Sequence, residues 1–204
     1  MFDTFSSKQR QVVAAFDFDG TLTERDTLLS FFCFLTNRWT VGVEICKLLP
    51  QFLKYEWGNS SRQEIKEAIM TPFLKGRPLA LVTEQALLFA QTQLPSLVPQ
   101  RRWARVAWHL KEGHRCILVS ANLELYLQPW SVSVGFESVI ASRCAVSPSG
   151  RLTGKLEGKN CWGPEKARRL SELLGHRDSY VLYAYGDSRG DQEMLALANY
   201  PVYL

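Results

Sequence analysis

Apolar positions along the chain follow two rhythms. Three short unbroken runs, Val12–Phe16, Cys116–Val119 and Tyr180–Tyr185, each give way abruptly to polar residues: Asp17-Phe18-Asp19-Gly20-Thr21, Ser120-Ala121-Asn122 and Gly186-Asp187-Ser188. Runs of this kind fit strands buried on both faces of a parallel sheet. Glu137–Ser142 fits a fourth strand. Between the runs, apolar residues recur at helical spacing over Arg101–Glu112 before Gly113, over Pro164–Leu174 before Gly175, and over Gln192–Ala198. Strands alternating with helices predict an α/β fold with a Rossmann-like, mostly parallel sheet. In such a sheet, polar residues gathered where strands end mark the active-site edge.

Two segments break this alternation. Residues 24–97 carry helical periodicity with no convincing strand, over Leu28–Leu35, Val41–Tyr55, Arg62–Met70 and Leu79–Gln91. About four helices are expected there, as a cap inserted into a core made of residues 1–23 and 98–204. Residues 144–158, with Ser147-Pro148-Ser149-Gly150 at their centre, predict a small β-hairpin. A last short strand is expected at Pro201–Leu204.

Composition narrows the class without naming a function. The 204 residues are 46% hydrophobic and 22% charged, enough to bury a core. A net charge of +4 is too weak and too dispersed to argue for nucleic acid, but it suits anionic substrates. The five cysteines are scattered and form no CxxC pair, which fits reduced thiols and a cytoplasmic protein rather than a zinc site or disulfide framework. Met1–Gln11 is polar and does not resemble a signal peptide. The uncharged stretch Thr27–Asn37 is too short to span a bilayer, and Gln85–Gln100 is interrupted by glutamines and prolines. No transmembrane segment is expected, and peripheral membrane contact stays open.

The chemistry-bearing residues sit at the ends of the predicted strands. Asp17 and Asp19 stand two apart at a strand mouth, where Gly20 permits a turn and a close backbone approach to a ligand. Thr21 adds a hydroxyl and an amide. Carboxylates this close repel one another unless a cation or a protein partner offsets the repulsion. Asp187 and Asp191 form a second acidic pair, four apart, between a strand and a helix. Such clusters suit a hard, oxygen-seeking cation such as Mg²⁺. Read alone, each is also an ordinary turn, with Asp191 as a helix cap.

Four motifs in order resemble the haloacid dehalogenase-like hydrolase superfamily, in its phosphoserine-phosphatase-like branch. They are Asp17-Phe18-Asp19-Gly20-Thr21, Val119-Ser120-Ala121-Asn122, Glu165-Lys166-Ala167-Arg168-Arg169-Leu170 and Gly186-Asp187-Ser188-Arg189-Gly190-Asp191. The resemblance implies a Mg²⁺-dependent phosphatase acting on a small phosphate ester. Asp17 would be the nucleophile that forms an aspartyl-phosphate, and Asp19 the acid and then the base. Ser120 would donate to a phosphoryl oxygen, and Lys166 would neutralise charge on Asp17 and phosphate. Asp17, the Asp19 carbonyl and Asp187 would ligate the metal, with Asp191 holding it or its waters. Lys155 and Lys159 are rivals to Lys166, which stands at a helix start as the branch pattern requires.

Specificity is less legible. Phosphoserine phosphatases resemble Asp-x-Asp-Ser-Thr in the first motif, whereas position 20 here is glycine. Their glutamate nine residues after the nucleophile becomes Asp26, which would either pair with a substrate amine or cap the helix beginning at Thr27. Gly20, Thr21, Asp26 and Asn122 are therefore candidates for substrate contact. The cap's Phe31, Phe32, Phe34, Trp39, Phe52, Tyr55 and Trp57 suggest an apolar pocket wall, open even to phospholipid headgroup esters, or else simply hold the cap helices together. His109, His114 and His176 make no ligand pattern, and Arg101, Arg102 and Arg105 read as a solvated basic edge. The same residues would serve a phosphotransferase, while a non-catalytic binding member would be expected to have lost one of the aspartates.

Overall fold

The structure, a computed structural model, describes residues 10–58 and 60–204. The polar segment Met1–Gln11 lies largely outside the described residues. Among the described residues, six strands form one sheet: β1 (Gln11–Phe16), β2 (Arg115–Leu123), β3 (Ser138–Val146), β4 (Leu152–Glu157), β5 (Tyr180–Gly186) and β6 (Tyr200–Tyr203). Their spatial order is β4-β3-β2-β1-β5-β6, parallel throughout except for the antiparallel pair β3 and β4. The strand-like runs and the C-terminal strand thus fall where the apolar pattern places them.

Period two decides what each face of β1 buries. Ala14 and Phe16 join an apolar cluster with Cys116 and Leu118, while Val13 and Ala15 face Ile117, Leu182, Leu170 and Met194. The second face is covered by α8 (Pro164–Leu174) and α9 (Gln192–Ala196). The first is covered by α6 (Gln100–Lys111) and α7 (Glu124–Ser133) and runs on into the helices that follow β1. Sequence pattern misses α7 because Pro129 sits inside it, where a proline without an N–H reads as a breaker.

Among the described residues, the stretch between β1 and α6 holds five α-helices: α1 (Thr27–Leu35), α2 (Arg38–Lys47), α3 (Leu49–Glu56), α4 (Arg62–Leu74) and α5 (Leu79–Thr92). The single helix expected over Val41–Tyr55 is therefore two. Pro50 explains the break, since it cannot donate to an upstream carbonyl but is tolerated in a helix's first turn. Asp26 caps α1, and a Ser61–Glu64 capping box starts α4.

The predicted hairpin exists, but its first strand is the continuation of β3, which leaves its parallel partner β2 and turns to pair with β4. The hairpin also clasps the chain leaving α4. Leu152 N donates to Arg77 O at 2.9 Å, Gly76 N to Leu152 O at 2.8 Å and Leu79 N to Gly150 O at 2.9 Å. Gly154 lets β4 approach α4 closely, because a Cβ there would overlap the Thr71 backbone. The helical layer is thereby held over the C-terminal edge of the sheet.

Candidate active site

Three strand ends deliver the motif residues to one place. Asp17 follows β1, Ser120 lies on β2, Asp187 follows β5, and Lys166 stands in the first turn of α8. They border a cavity of about 450 Å³ between sheet edge and helices, lined by Asp17, Asp19, Ser120, Asn122 and Lys166 from the sheet side. Leu28, Phe52, Tyr55, Arg62, Lys66 and Ile69 line it from the other.

Lys166 is the electrostatic hub. Its buried ammonium donates to Asp17 Oδ1 and, at 2.6 Å, to Asp191 Oδ1. Burial alone would lower its pKa, but the two carboxylates more than offset this and hold it above the ordinary lysine range. The rivals are elsewhere: Lys155 pairs with Glu67 at 3.2 Å, and Lys159 is exposed. Asp191 is fully buried, and its other oxygen accepts from Ser188 Oγ at 2.8 Å and Ser188 N at 3.1 Å. It orders the turn after β5 as well as facing the site.

The two aspartates of the first motif are in different environments. Burial raises Asp17 to about 6, against the opposing pull of Lys166. Asp19 is raised further, to about 8, by burial and then by the charge of Asp26. Its carboxyl group is held in place on both oxygens: Oδ1 accepts from Thr27 Oγ1 at 2.8 Å, Thr27 N at 3.1 Å and Thr23 Oγ1 at 3.2 Å, and Oδ2 from Asn122 Nδ2. Two neighbouring carboxyls with pKa values pushed apart are what acid–base division of labour requires.

Oxygens of Asp17, Asp187 and Asp191 lie within 4.8 Å of one another, and the Asp19 carboxylate is not among them. Lys166 contacts Asp17 and Asp191 but brings one positive charge to three carboxylates. Burial and the charge of Asp191 raise the Asp187 pKa, so the cluster carries unrelieved repulsion. This all-oxygen set fits a hard divalent cation.

The substrate candidates divide. Asp26 lines the cavity while its Oδ1 caps α1, accepting from Leu28 N at 2.8 Å, so both roles foreseen for it are compatible. Asn122 is engaged with Asp19. Thr21 is fully buried with its hydroxyl on Asp187 Oδ1 at 3.2 Å. Gly20 adopts φ +84°, and a Cβ there would overlap the Asp187 carboxylate. Gly20→Ala is therefore expected to displace Asp187 and raise the divalent cation concentration for half-maximal activity by about 10–100-fold, as loss of a ligand's supporting contacts typically does. A cation titration checks this, and an unchanged midpoint would remove Asp187 from the metal site.

Several site residues escape sequence reading. Arg102, expected to be solvated, donates to Thr21 O at 2.8 Å and to Gly20 O, pinning the first motif's loop. Lys66 is buried, donates to Ala121 O, and has its pKa lowered by burial to about 8. Its signal was a lysine on the apolar stripe shared with Met70 and Phe73. Arg62 stacks on Trp162, 4.3 Å from the ring centroid. The aromatics separate: Phe31 and Phe32 are core, with Phe32 stacked on Phe73 at 4.5 Å, whereas Phe52 and Tyr55 face the cavity.

The family profile of haloacid dehalogenase-like hydrolases matches residues 14–196. Protein CicA of Caulobacter vibrioides is 36% identical over 190 residues, spanning 92% of this chain and 83% of that protein. A histidinol-phosphatase of Neisseria meningitidis serogroup C is 24% identical over 203 residues, spanning 93% and 88%. A phosphoserine phosphatase structure holding a phospho-aspartyl intermediate analogue superposes with a TM-score of 0.60 at 19% identity, covering 93% of this chain and 84% of that one. The chain belongs to the haloacid dehalogenase-like hydrolase family, and it has the fold of that family's phosphoserine-phosphatase-like branch.

Proposed function

We propose that the chain is a Mg²⁺-dependent phosphomonoesterase working through an aspartyl-phosphate on Asp17. The observation that carries this is geometric: Asp17, hydrogen-bonded to the buried Lys166 ammonium, shares an acidic cluster with Asp187 and Asp191 at a cavity that Asp19 and Ser120 also line. At neutral pH Asp17 is largely ionised and free to attack phosphorus. Asp19 largely keeps its proton for the leaving oxygen. A bond from Asp17 Oδ to phosphorus forms as the ester P–O bond breaks, and the Asp19 proton passes to the departing alkoxide. Asp19, now ionised, takes a proton from the water that attacks the phosphoenzyme, which regenerates Asp17 and releases phosphate. Lys166 offsets charge on Asp17 and on the phosphoryl group, and the Ser120 hydroxyl, on the cavity wall, would donate to a phosphoryl oxygen. Asp17, Asp187 and Asp191 would hold the cation, which supplies charge stabilisation to the transferring group.

The histidinol-phosphatase and phosphoserine phosphatase relatives support phosphate-ester chemistry, and the cavity supports a small substrate. Beyond the phosphate its wall is mixed. Arg62, Lys66 and Asp26 are polar anchors, and Leu28, Phe52, Ile65 and Ile69 are apolar.

The pH profile tests the assignment. With an alkyl phosphate, kcat/KM should rise as Asp17 ionises through about 6 and fall as Asp19 loses its proton through about 8. Bound cation should shift the acid limb downward. With an aryl phosphate, whose leaving group needs no proton, the alkaline limb should flatten. Identical alkaline limbs for both esters would take the acid role away from Asp19.

A further inference from the structure

The cap carries apolar surface that neither the cavity nor the core uses. In α3, Phe52, Tyr55 and Glu56 turn to the cavity, while Leu49, Leu53 and Trp57, at i, i+4 and i+8, are 61%, 54% and 73% exposed. In α2, Val41 is buried and Trp39, Val43 and Cys46, at i, i+4 and i+7, face solvent, with Trp39 83% exposed. The two helices meet at Leu48, so two outward arcs of tryptophan and aliphatic side chains follow one another, the second on the helix that gives Phe52, Tyr55 and Glu56 to the cavity wall. Single exposed apolar residues are ordinary, but a run of them with two open tryptophans marks an interaction surface.

Charge selects among occupants. Arg38, Lys47 and Lys54 are exposed beside these arcs. Lys47 is paired with Glu44 at 2.6 Å, but Arg38 and Lys54 have no acidic partner among the described residues. The exposed acid of α3, Glu56, faces the cavity. With Lys47 neutralised by Glu44, Arg38 and Lys54 are the charges this face offers to an anionic partner, among the described residues. An anionic bilayer surface would meet the basic side chains with lipid phosphates and the tryptophans with the headgroup boundary, where their amphipathic rings are favoured.

We propose that the outer face of α2 and α3 docks on an anionic lipid surface, setting the cavity mouth against the membrane so that phosphate esters held in or near the bilayer reach Asp17. No helix among the described residues is long and apolar enough to cross a membrane, so the contact is peripheral. The docking rests on the phosphatase assignment only for the purpose it serves, and its test reads binding separately from turnover.

The test compares the chain with Trp39→Ser/Leu53→Glu and Trp57→Ser variants, none of which alters a cavity residue. Co-sedimentation is measured with phosphatidylcholine vesicles and with vesicles of phosphatidylcholine and phosphatidylglycerol mixed two to one. The chain should partition onto the mixed vesicles, less so at high salt, and each variant should bind at least about tenfold more weakly. Turnover of a soluble phosphomonoester should stay within about twofold in the variants, which also shows that they fold. A chain that stays in the supernatant with both vesicle types overturns the docking. So does a dimer that the substitutions convert to monomer without any vesicle binding, since the face would then be a contact between copies. Vesicle binding with no phosphate released from any ester would instead defeat the phosphatase assignment and leave the docking standing.

Discussion

Asp17→Asn is expected to lower phosphomonoester turnover by at least about 10⁴-fold while leaving the fold intact, in line with loss of a covalent nucleophile. The amide keeps the shape of the carboxylate and can still accept from Lys166, so little packing changes around a residue that is almost fully buried. What disappears is the anion that would attack phosphorus. Steady-state turnover, with deamidation excluded by peptide mass, checks this. A variant within about tenfold of the parent chain would place the nucleophile elsewhere.

Lys166→Met is expected to give the largest stability effect. The substitution keeps the apolar stem but leaves Asp17 and Asp191 buried with no ammonium between them. Removing one member of a buried ion pair typically costs about 3–5 kcal/mol, because the remaining charge stays desolvated. The sign of the pH dependence follows. Without the lysine, burial of Asp17 is unopposed by a counter-charge, so its folded pKa rises further above that of the unfolded chain. Stability then falls as pH increases. The deficit should be wide near pH 8, narrower near pH 5, and partly repaired by Mg²⁺. Urea denaturation at both pH values measures it. A deficit under about 1 kcal/mol at pH 8 would mean that the carboxylates have another counter-charge.

The sheet and its reactive edge were legible in the sequence because both are local signals. Val12–Phe16 is continuous apolar sequence buried on both faces, and its end coincides with Asp17. Asp187 and Asp191 stand in the same relation to Tyr180–Tyr185. Lys166 could be preferred over Lys155 and Lys159 only through the family resemblance, since Lys-Ala-x-x-Leu at a helix start fits the branch pattern. What the sequence could not show depends on contacts between distant segments. The partners of Asp19 come from Thr23, Thr27 and Asn122, the last more than a hundred residues away. Asn122, a candidate substrate contact in sequence, lines the cavity and also donates to that carboxyl. Arg102 looks like a solvated helix charge until the fold places backbone carbonyls in front of it.

The cap aromatics show the same limit. Periodicity identifies helices, but Phe32, Phe52 and Trp57 are alike in composition and end in three places: the core, the cavity wall and the outer surface. Which face meets which neighbour is fixed by how the hairpin clasps Gly76–Leu79 and by the break between α2 and α3. The contact between hairpin and cap joins segments more than seventy residues apart, which no local pattern can show. Pro129 within α7 misleads in the other direction, since tertiary packing of Tyr126, Leu127 and Trp130 holds a helix that propensity disfavours.

The covalent step itself can be caught. Asp19→Asn should form the phosphoenzyme slowly and hydrolyse it slowly, because acid–base help typically contributes about 10²–10⁴-fold. Mixing that variant with an aryl phosphate and Mg²⁺, quenching in acid and mapping the modified peptide by mass spectrometry reads the intermediate directly. The predicted result is one phosphoryl group on Asp17, labile to hydroxylamine as an acyl phosphate must be, and absent from the Asp17→Asn/Asp19→Asn double variant. Phosphate release by the parent chain with no trapped label in the variant, or a label on any other residue, would contradict nucleophilic catalysis by Asp17.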